Sequence, residues 1–320
     1  MNDYRKKQLA KVAYLYYIEG KNQAEISQEL GIYRTTVSRM LARAKQEGIV
    51  QISIEGLDSS LFQLENYIKD KYGLKSIEIV PSTSKKKALD NQVAQAAAAL
   101  IHQLLSNQSR VGISWGSTLS RVVAALPFKQ LKNTHFYPLA GGPSYINVRY
   151  HVNTLVYELA RKCQGKASFV NAAIIQQNQE LAAGVFASQE FADIKKNWEQ
   201  LDLAIVGIGG KMKENRQWLD MLTEEDFQQI AESQAVGEVC CRFLNSQGQE
   251  IFKDLDQRTV AISLAALKEV KDSVAVAYGA AKAAAILAVL KQHYVNHLVT
   301  DEATALALLE EDQDFAFSVN

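Results

Sequence analysis

The first fifty residues contain three short segments in which apolar residues recur at helical spacing. Glycines Gly20 and Gly31 separate them, and Asn22 followed by Glu25 forms a capping-box pattern at the start of the second. Three short helices with a glycine turn are typical of a helix-turn-helix. The predicted helices are Gln8–Glu19, a segment from Asn22 to Leu30, and Arg34–Glu47.

The third predicted helix has an apolar stripe and an opposite face rich in arginine and hydroxyl side chains. Arginine pairs bidentately with guanine, and Ser or Thr reaches base edges or phosphates. The alternative is a solvated face on a three-helix packing unit, but the helix order with a basic outer face favours double-stranded operator DNA as a partner. The predicted DNA-binding residues are Arg34, Thr35, Thr36, Ser38, Arg39 and Arg43.

Two further segments precede the large domain. Gly48–Ile54 alternates like a strand, which predicts either the wing of a winged helix or a plain exit strand. Apolar residues then recur at helical spacing over 56–73, a linker helix that either pairs two subunits or packs on the next domain. Dimerisation matters here because a helix-turn-helix usually reads two half-sites.

Residues 74–320 alternate strands rich in β-branched residues with helices. This alternation predicts an α/β domain with a mostly parallel sheet, covered on both faces, that binds ligands beyond the carboxyl ends of its strands. The predicted strands are Ser76–Val80, Arg110–Ser114, His135–Leu139, Ser168–Asn171, Asp202–Val206, Thr259–Ser263, Ser273–Ala277 and His297–Thr300. The predicted helices are Ala88–Leu105, Thr118–Ala125, Asn153–Cys163, Phe191–Glu199, Glu224–Ser233, Ala280–Gln292 and Glu302–Leu309.

Charge is unevenly distributed along the 320 residues, although the net charge is zero. Residues 1–54 carry nine Lys or Arg against five Asp or Glu, a net +4, which leaves −4 for the remainder. This asymmetry favours a polyanion partner for the N-terminal module alone. No apolar run approaches the roughly 18 residues of a membrane span, and the N-terminus lacks a signal-peptide pattern, so we expect a cytoplasmic protein.

The three cysteines, Cys163, Cys240 and Cys241, are too few and too poorly spaced for a disulfide framework or a zinc site. We expect buried reduced thiols. The sequence predicts no metal, no cofactor and no catalytic residue.

Glycine-bearing turns follow four of the predicted strands, at Gly112–Leu119, Gly141-Gly142, Gly207–Gly210 and Gly279–Lys282. In the first, backbone N–H groups and the hydroxyls of Ser117 and Thr118 have the chemistry of a phosphate site, whereas the alternative is that Ser117 only caps the helix. Lys282 either meets the phosphate as a point charge or is solvated.

Two carboxylates, Glu238 and Asp301, follow predicted strands or turns of the large domain. Each can bind sugar hydroxyls or take part in acid–base chemistry, and Asp301 has the alternative of a helix cap.

The chain resembles the SorC family of sugar-sensing bacterial transcription regulators over nearly its whole length. The N-terminal motifs of the resemblance are Tyr16-Tyr17, Gln23-Ala24-Glu25-Ile26, Leu30-Gly31-Ile32, Thr36-Val37-Ser38-Arg39 and Glu47-Gly48-Ile49-Val50. Those of the effector domain are Gly112-Ile113-Ser114-Trp115-Gly116-Ser117-Thr118-Leu119, Leu139-Ala140-Gly141-Gly142, Gly207-Ile208-Gly209, Gly237-Glu238, Gly279-Ala280-Ala281-Lys282 and Thr300-Asp301-Glu302-Ala303-Thr304-Ala305.

The resemblance implies an effector domain similar to sugar-phosphate isomerases that binds a sugar or phosphosugar and adjusts operator affinity, usually in a tetramer. It places phosphate at Ser117, Thr118 and Lys282, and the sugar near Gly142, Glu238 and Asp301. The full set of expected effector-binding residues is Gly116, Ser117, Thr118, Gly141, Gly142, Gly207, Gly209, Glu238, Lys282 and Asp301.

Two positions depart from the family pattern. Ala140 stands where some members have Lys or Arg, which counts against a covalent imine or a second phosphate clamp there. Tyr33 stands where a small hydroxyl residue is expected as the cap of the third helix.

The sequence thus predicts a regulator of a carbohydrate-use operon, with a helix-turn-helix domain at 1–55, a linker helix at 56–73 and an effector domain at 74–320. The alternative is a sugar-phosphate isomerase or lyase fused to a helix-turn-helix, since Glu238 or Asp301 could move a proton. Neither pairs with a His or Lys in a recognisable motif, which favours the regulator.

Overall fold

The computed structural model describes residues 3–51, 59–142, 147–212 and 221–317. Its contacts divide the chain into two compact units, Met1–Asp58 and Ser59–Asn320. Among the described residues, none of the helices has the length and apolarity that a membrane crossing requires.

Three helices form the N-terminal unit, as predicted: α1 (Asp3–Tyr17), α2 (Gln23–Leu30) and α3 (Arg34–Gln46). The capping box is present, because the Asn22 side chain accepts the Ala24 and Glu25 N–H groups at 2.9 and 3.1 Å while Glu25 accepts the Asn22 N–H at 2.8 Å. Gly31 ends α2 at φ 62°, a left-handed conformation that glycine adopts without strain.

The start of α1 was predicted five residues too late. The residues from Tyr4 to Gln8 are all exposed, so this turn has no buried side for an apolar pattern to mark. Val12, Ile26 and Val37 bring the three helices together in one buried cluster.

The predicted strand Gly48–Ile54 is not a strand over its described part. Residues 48–51 form a turn and a bend in which the Ile49 and Val50 N–H groups donate to the Ala44 carbonyl, and residues 52–54 lie outside the described part. These backbone bonds fold the chain back on α3 instead of extending it.

A mostly parallel sheet forms the centre of the second unit, in agreement with the predicted fold class. Its main path runs in the order β1-β9-β8-β5-β2-β3-β4 with every pair parallel, and a β6–β7 hairpin is attached antiparallel to β5. The strands are β1 (Ser76–Val80), β2 (Arg110–Ile113), β3 (His135–Pro138), β4 (Lys166–Ala167), β5 (Leu203–Gly209), β6 (Gly237–Val239), β7 (Arg242–Leu244), β8 (Asp272–Val276) and β9 (His297–Asp301).

Helices surround this sheet. They are α4 (Ser59–Tyr72), α5 (Lys86–Leu104), α6 (Ser117–Ala125), α7 (Val152–Cys163), α8 (Gln179–Ala187), α9 (Gln189–Trp198), α10 (Glu224–Glu232), α11 (Lys253–Arg258), α12 (Leu264–Glu269), α13 (Ala283–Lys291) and α14 (Glu302–Glu311). Leu61, Leu64 and Ile68 of α4 are buried in the same core as β1, so α4 packs on the larger unit. Within the predicted helix Ala280–Gln292, Ala280–Lys282 is a 3-10 turn.

Two predicted strands were wrong in place or type. The strand expected at Ser168–Asn171 is the shorter β4, because the Asn153 side chain bonds both the N–H and the carbonyl of Val170 and replaces the strand ladder there. The segment Thr259–Ser263 makes only isolated bridges, Thr259 with Ile175 and Ala261 with Ala140.

Replacing Asn22 by Ala should loosen the start of α2, because the Ala24 and Glu25 N–H groups lose their acceptor. An N-cap of this kind contributes about 1 kcal/mol, so amide hydrogen exchange at residues 24 and 25 should accelerate about fivefold. Gln28→Ala, an exposed change within α2, is the matched control and should leave these rates nearly unchanged. Equal rates in wild type and Asn22→Ala would contradict the capping role.

Candidate functional site

A cleft opens at the carboxyl ends of three neighbouring strands, β2, β5 and β8. Its empty space, with the open mouth included, is about 560 Å³. The position agrees with the rule that open parallel sheets bind ligands beyond these strand ends. The lining residues are Ser114, Trp115, Gly116, Ser117, Thr118, Leu119, Gly207, Ile208, Gly209, Glu238, Cys240, Val276 and Lys282.

The turn from β2 into α6 presents helix N–H groups to this cleft. Gly116 is the N-cap residue at φ 126°, Ser117 is the first helical residue, and no side chain caps the helix. The alternative prediction that Ser117 only caps α6 is therefore wrong. The first N–H groups of a helix have no partner inside it and point along the positive end of the helix dipole. Together with the Ser117 and Thr118 hydroxyls they form a set of donors suited to an anion.

Lys282 supplies the positive charge of the cleft. Its ammonium donates to the Ile208 carbonyl at 2.8 Å, which fixes the side chain across the end of β5. Burial lowers the pKa of Lys282, and the nearby Glu238 carboxylate acts in the opposite direction. An ammonium has three donors, so the remaining ones are available to a ligand.

Glu238 enters the cleft from β6. Its carboxylate accepts the Cys241 N–H at 3.0 Å and lies so close to β5 that a Cβ on Gly209 would be 2.3 Å from its Oε1 atom. Burial raises the pKa of Glu238 to about 7, against the lowering effects of the Cys241 N–H, the Lys282 charge and the Gly209 N–H. This carboxyl group can therefore gain or lose a proton near neutral pH.

The β6–β7 hairpin that carries Glu238 turns through two adjacent cysteines. Cys240 and Cys241 have φ values of 48° and 65°, the left-handed conformations of a two-residue hairpin turn that usually contains Asn and Gly. Both thiols are free and buried, as expected, and burial raises their pKa values. The Trp115 Nε1–H donates to Cys241 Sγ at 3.5 Å, which joins the turn between β2 and α6 to the β6–β7 hairpin.

Three expected effector residues do not line the cleft. A Cβ on Gly142 would lie 2.3 Å from His151 Nε2, and one on Gly141 would lie 2.8 Å from the Ala173 backbone, so both glycines allow close packing. Asp301 is buried, and its Oδ1 atom accepts the Gly279 N–H at 3.1 Å and the Thr304 hydroxyl. Asp301 thus fixes the turn that leads to Lys282, and it accepts no N–H of its own helix.

The six candidate DNA-contacting residues all lie on α3, and they differ in exposure. Arg34, Thr35, Ser38 and Arg39 are exposed, while Thr36 and Arg43 are half-buried. The Arg43 guanidinium bonds Glu47 one turn further along, so part of its charge is already compensated. Tyr33 occupies the N-cap position without a side-chain cap, and the helix nevertheless begins at Arg34.

Comparison with protein families assigns both units. The sugar-binding domain family matches residues 59–310, and a homeodomain-like domain matches residues 3–52. The sorbitol operon regulator of Klebsiella pneumoniae is 34% identical over 308 residues, which cover 94% of this chain and 97% of that protein. The deoxyribonucleoside regulator of Bacillus subtilis is 28% identical over 311 residues, which cover 97% of this chain and 99% of that protein.

Solved structures show the same relationship. A transcriptional regulator from Streptococcus pneumoniae superposes with a TM-score of 0.77 at 48% identity, covering 80% of this chain and 99% of that one. The full-length sorbitol operon regulator SorC from Klebsiella pneumoniae superposes with a TM-score of 0.74 at 32% identity, covering 95% and 98%. The chain therefore belongs to the SorC family of transcriptional regulators, which join a helix-turn-helix to a sugar-binding domain.

Proposed function

We propose that this protein controls a carbohydrate-use operon through a phosphosugar that binds the cleft and changes operator affinity. Residues 1–55 act as the DNA-binding domain and residues 74–320 as the effector domain, within a homodimer or homotetramer. The observation that carries the proposal is the convergence of the uncapped start of α6, the Ser117 and Thr118 hydroxyls and the Lys282 ammonium on one cleft. One relative is named for the sorbitol operon and another for deoxyribonucleosides, and both names support a sugar-containing effector.

The phosphate occupies the α6 end of the cleft. Its oxygens accept from the first helix N–H groups and from the two hydroxyls, while Lys282 balances part of its charge. Gly116 and Gly207 leave space for close approach, since a Cβ on either would meet no other atom within 4 Å. Glu238, at the β6 side, accepts hydrogen bonds from the sugar hydroxyls.

An isomerase or lyase remains the second candidate because of one observation. Glu238 has a pKa of about 7 and stands beside Lys282, a combination suited to moving a proton next to a carbonyl. We favour the regulator because the relatives that span this whole chain are named as regulators.

The two candidates separate in one experiment: thermal unfolding of the purified protein with a panel of sugars and their phosphates, followed by recovery of each ligand. A ligand at about 100 times its Kd adds about 2.7 kcal/mol to the free energy of unfolding. Stabilisation by one phosphosugar that is recovered intact and changes operator affinity supports the regulator. Conversion to product favours the enzyme, and the lack of any shift contradicts the cleft as an effector site.

Replacing Thr118 by Ala should weaken binding of the stabilising phosphosugar by about ten- to a hundredfold, because a hydrogen bond to a charged group contributes about 1.5–3 kcal/mol. Calorimetric titration measures the change. Ser120→Ala, which removes a hydroxyl from α6 outside the cleft lining, should leave the Kd unaltered. An unchanged Kd for Thr118→Ala counts against the phosphate site.

Replacing Arg39 by Ala should reduce operator affinity by about 1–3 kcal/mol and relax the preference at one base position, because an exposed arginine on the recognition helix reads a base edge. Gel-shift titration with operator and single-base variants measures both effects. Arg161→Ala removes the same charge from α7 and should bind operator normally. Unaltered affinity and preference in Arg39→Ala would refute the assigned contact.

Replacing Glu238 by Gln should stabilise the protein by an amount that grows with pH. The folded-state pKa of about 7 lies above the ordinary 4.5, so the folded protein holds this proton after the unfolded chain has released it. Wild-type stability therefore falls as pH rises from about 4.5 to about 7, and Glu238→Gln lacks this fall. The Tm difference should widen across this window and then level off.

The matched control for Glu238→Gln is Glu232→Gln, an exposed change at the end of α10. It should show no Tm difference that depends on pH in the same window. A constant Tm difference for Glu238→Gln would contradict the titration of this group.

A further inference from the structure

A groove runs between α1 and α3, and its lining combines polar and cationic side chains with the apolar residues Leu9, Met40 and Ala42. Arg5 and Gln8 of α1 form one wall, and Thr36, Arg39, Arg43 and Gln46 of α3 form the other. The predicted DNA-binding set includes only the α3 side, so the basic start of α1 has no role in the function described above.

The charges of this groove are not balanced. Among the described residues that line it, Glu47 is the one acid, and Arg43 already bonds its Oε1 atom. The side chains of Arg5 and Arg39 make no hydrogen bond or ion pair with any other residue that the structure describes. Two uncompensated guanidinium groups facing one groove repel each other, and an anion between them removes that repulsion.

The groove adjoins the predicted base-reading face of α3. An anion in it is best placed where it meets the Arg5 and Arg39 guanidinium groups, which no described acidic residue compensates. Arg39 and Thr36 belong both to this groove and to the predicted base-reading set, which places the groove beside the face of α3 that meets DNA.

These observations match one strand of a DNA backbone. A recognition helix in the major groove has phosphates along its flanks, and a guanidinium binds a phosphate with two parallel hydrogen bonds. We propose that the groove between α1 and α3 binds the phosphate backbone of operator DNA, with Arg5 as a phosphate contact outside the recognition helix. The inference rests on the DNA-binding function and extends its interface to α1.

The test is the salt dependence of binding for the full chain, measured by fluorescence anisotropy with operator duplex and with a scrambled duplex. One lost phosphate contact reduces the slope of log K against log salt by about 0.9. When salt rises from about 50 to about 200 mM, the binding affinity of the wild type should therefore fall by a factor that is about three to four times larger than the factor for Arg5→Ala. The effect should be equal on both duplexes, because phosphates carry no sequence information.

Lys7→Ala is the matched control, since it removes one positive charge from an exposed position two residues further along α1. At 3.6 residues per turn, Lys7 points about 200° away from Arg5, and it does not line the groove. Lys7→Ala should keep the wild-type slope, and Arg5→Lys should retain most of it.

An Arg5→Ala slope equal to that of wild type would overturn the proposal, as would a loss confined to the operator duplex. Equal slope losses in Arg5→Ala and Lys7→Ala would also overturn it, because they would reflect total charge alone. If wild type itself binds neither duplex, the DNA-binding function fails, which is a different result from failure of the Arg5 contact. Arg5 is exposed on a helix, so its replacement by Ala leaves the core of the unit intact.

Discussion

The parallel pairing of β8, β5 and β2 is the constraint on which the effector cleft depends. Leu203 of β5 pairs with Asp272 of β8, and Val111 of β2 pairs with the same Leu203. This register brings three chain-distant turns to one edge of the sheet. The helix N–H groups, the Gly207–Gly209 backbone and Lys282 then meet without any of them having to extend far from its own strand.

Around this edge, buried polar groups hold the functional side chains at fixed positions. Asp301 and Thr304 both bond the Gly279 N–H, and the Ile208 carbonyl receives the Lys282 ammonium. Cys240 and Cys241 adopt left-handed backbone conformations that cost free energy for residues with a Cβ. This strained turn directs the Cys241 N–H group at the Glu238 carboxylate in the cleft.

The sequence predicts the parts of the fold that leave a periodic or glycine-rich signal. The three N-terminal helices, the positions of most strands along the chain and the convergence of Ser117, Thr118 and Lys282 are of this kind. The β6–β7 hairpin was missed because its turn is Cys-Cys and not Asn-Gly, so no turn signal marks it. The close packing of Gly141 and Gly142 against Ala173 and His151 has no signal in the sequence, because only three-dimensional contacts reveal it.

The difference between the two binding surfaces lies in how each charge is compensated. In the cleft, the nearby Glu238 carboxylate compensates part of the charge of the Lys282 ammonium. In the groove between α1 and α3, Arg5 and Arg39 have no acidic partner among the described residues, so the excess charge faces outward. The +4 of residues 1–54 is a modest total. What fits the regular charge of a phosphate backbone is that two of these cations, Arg5 and Arg39, face one groove next to the proposed recognition helix.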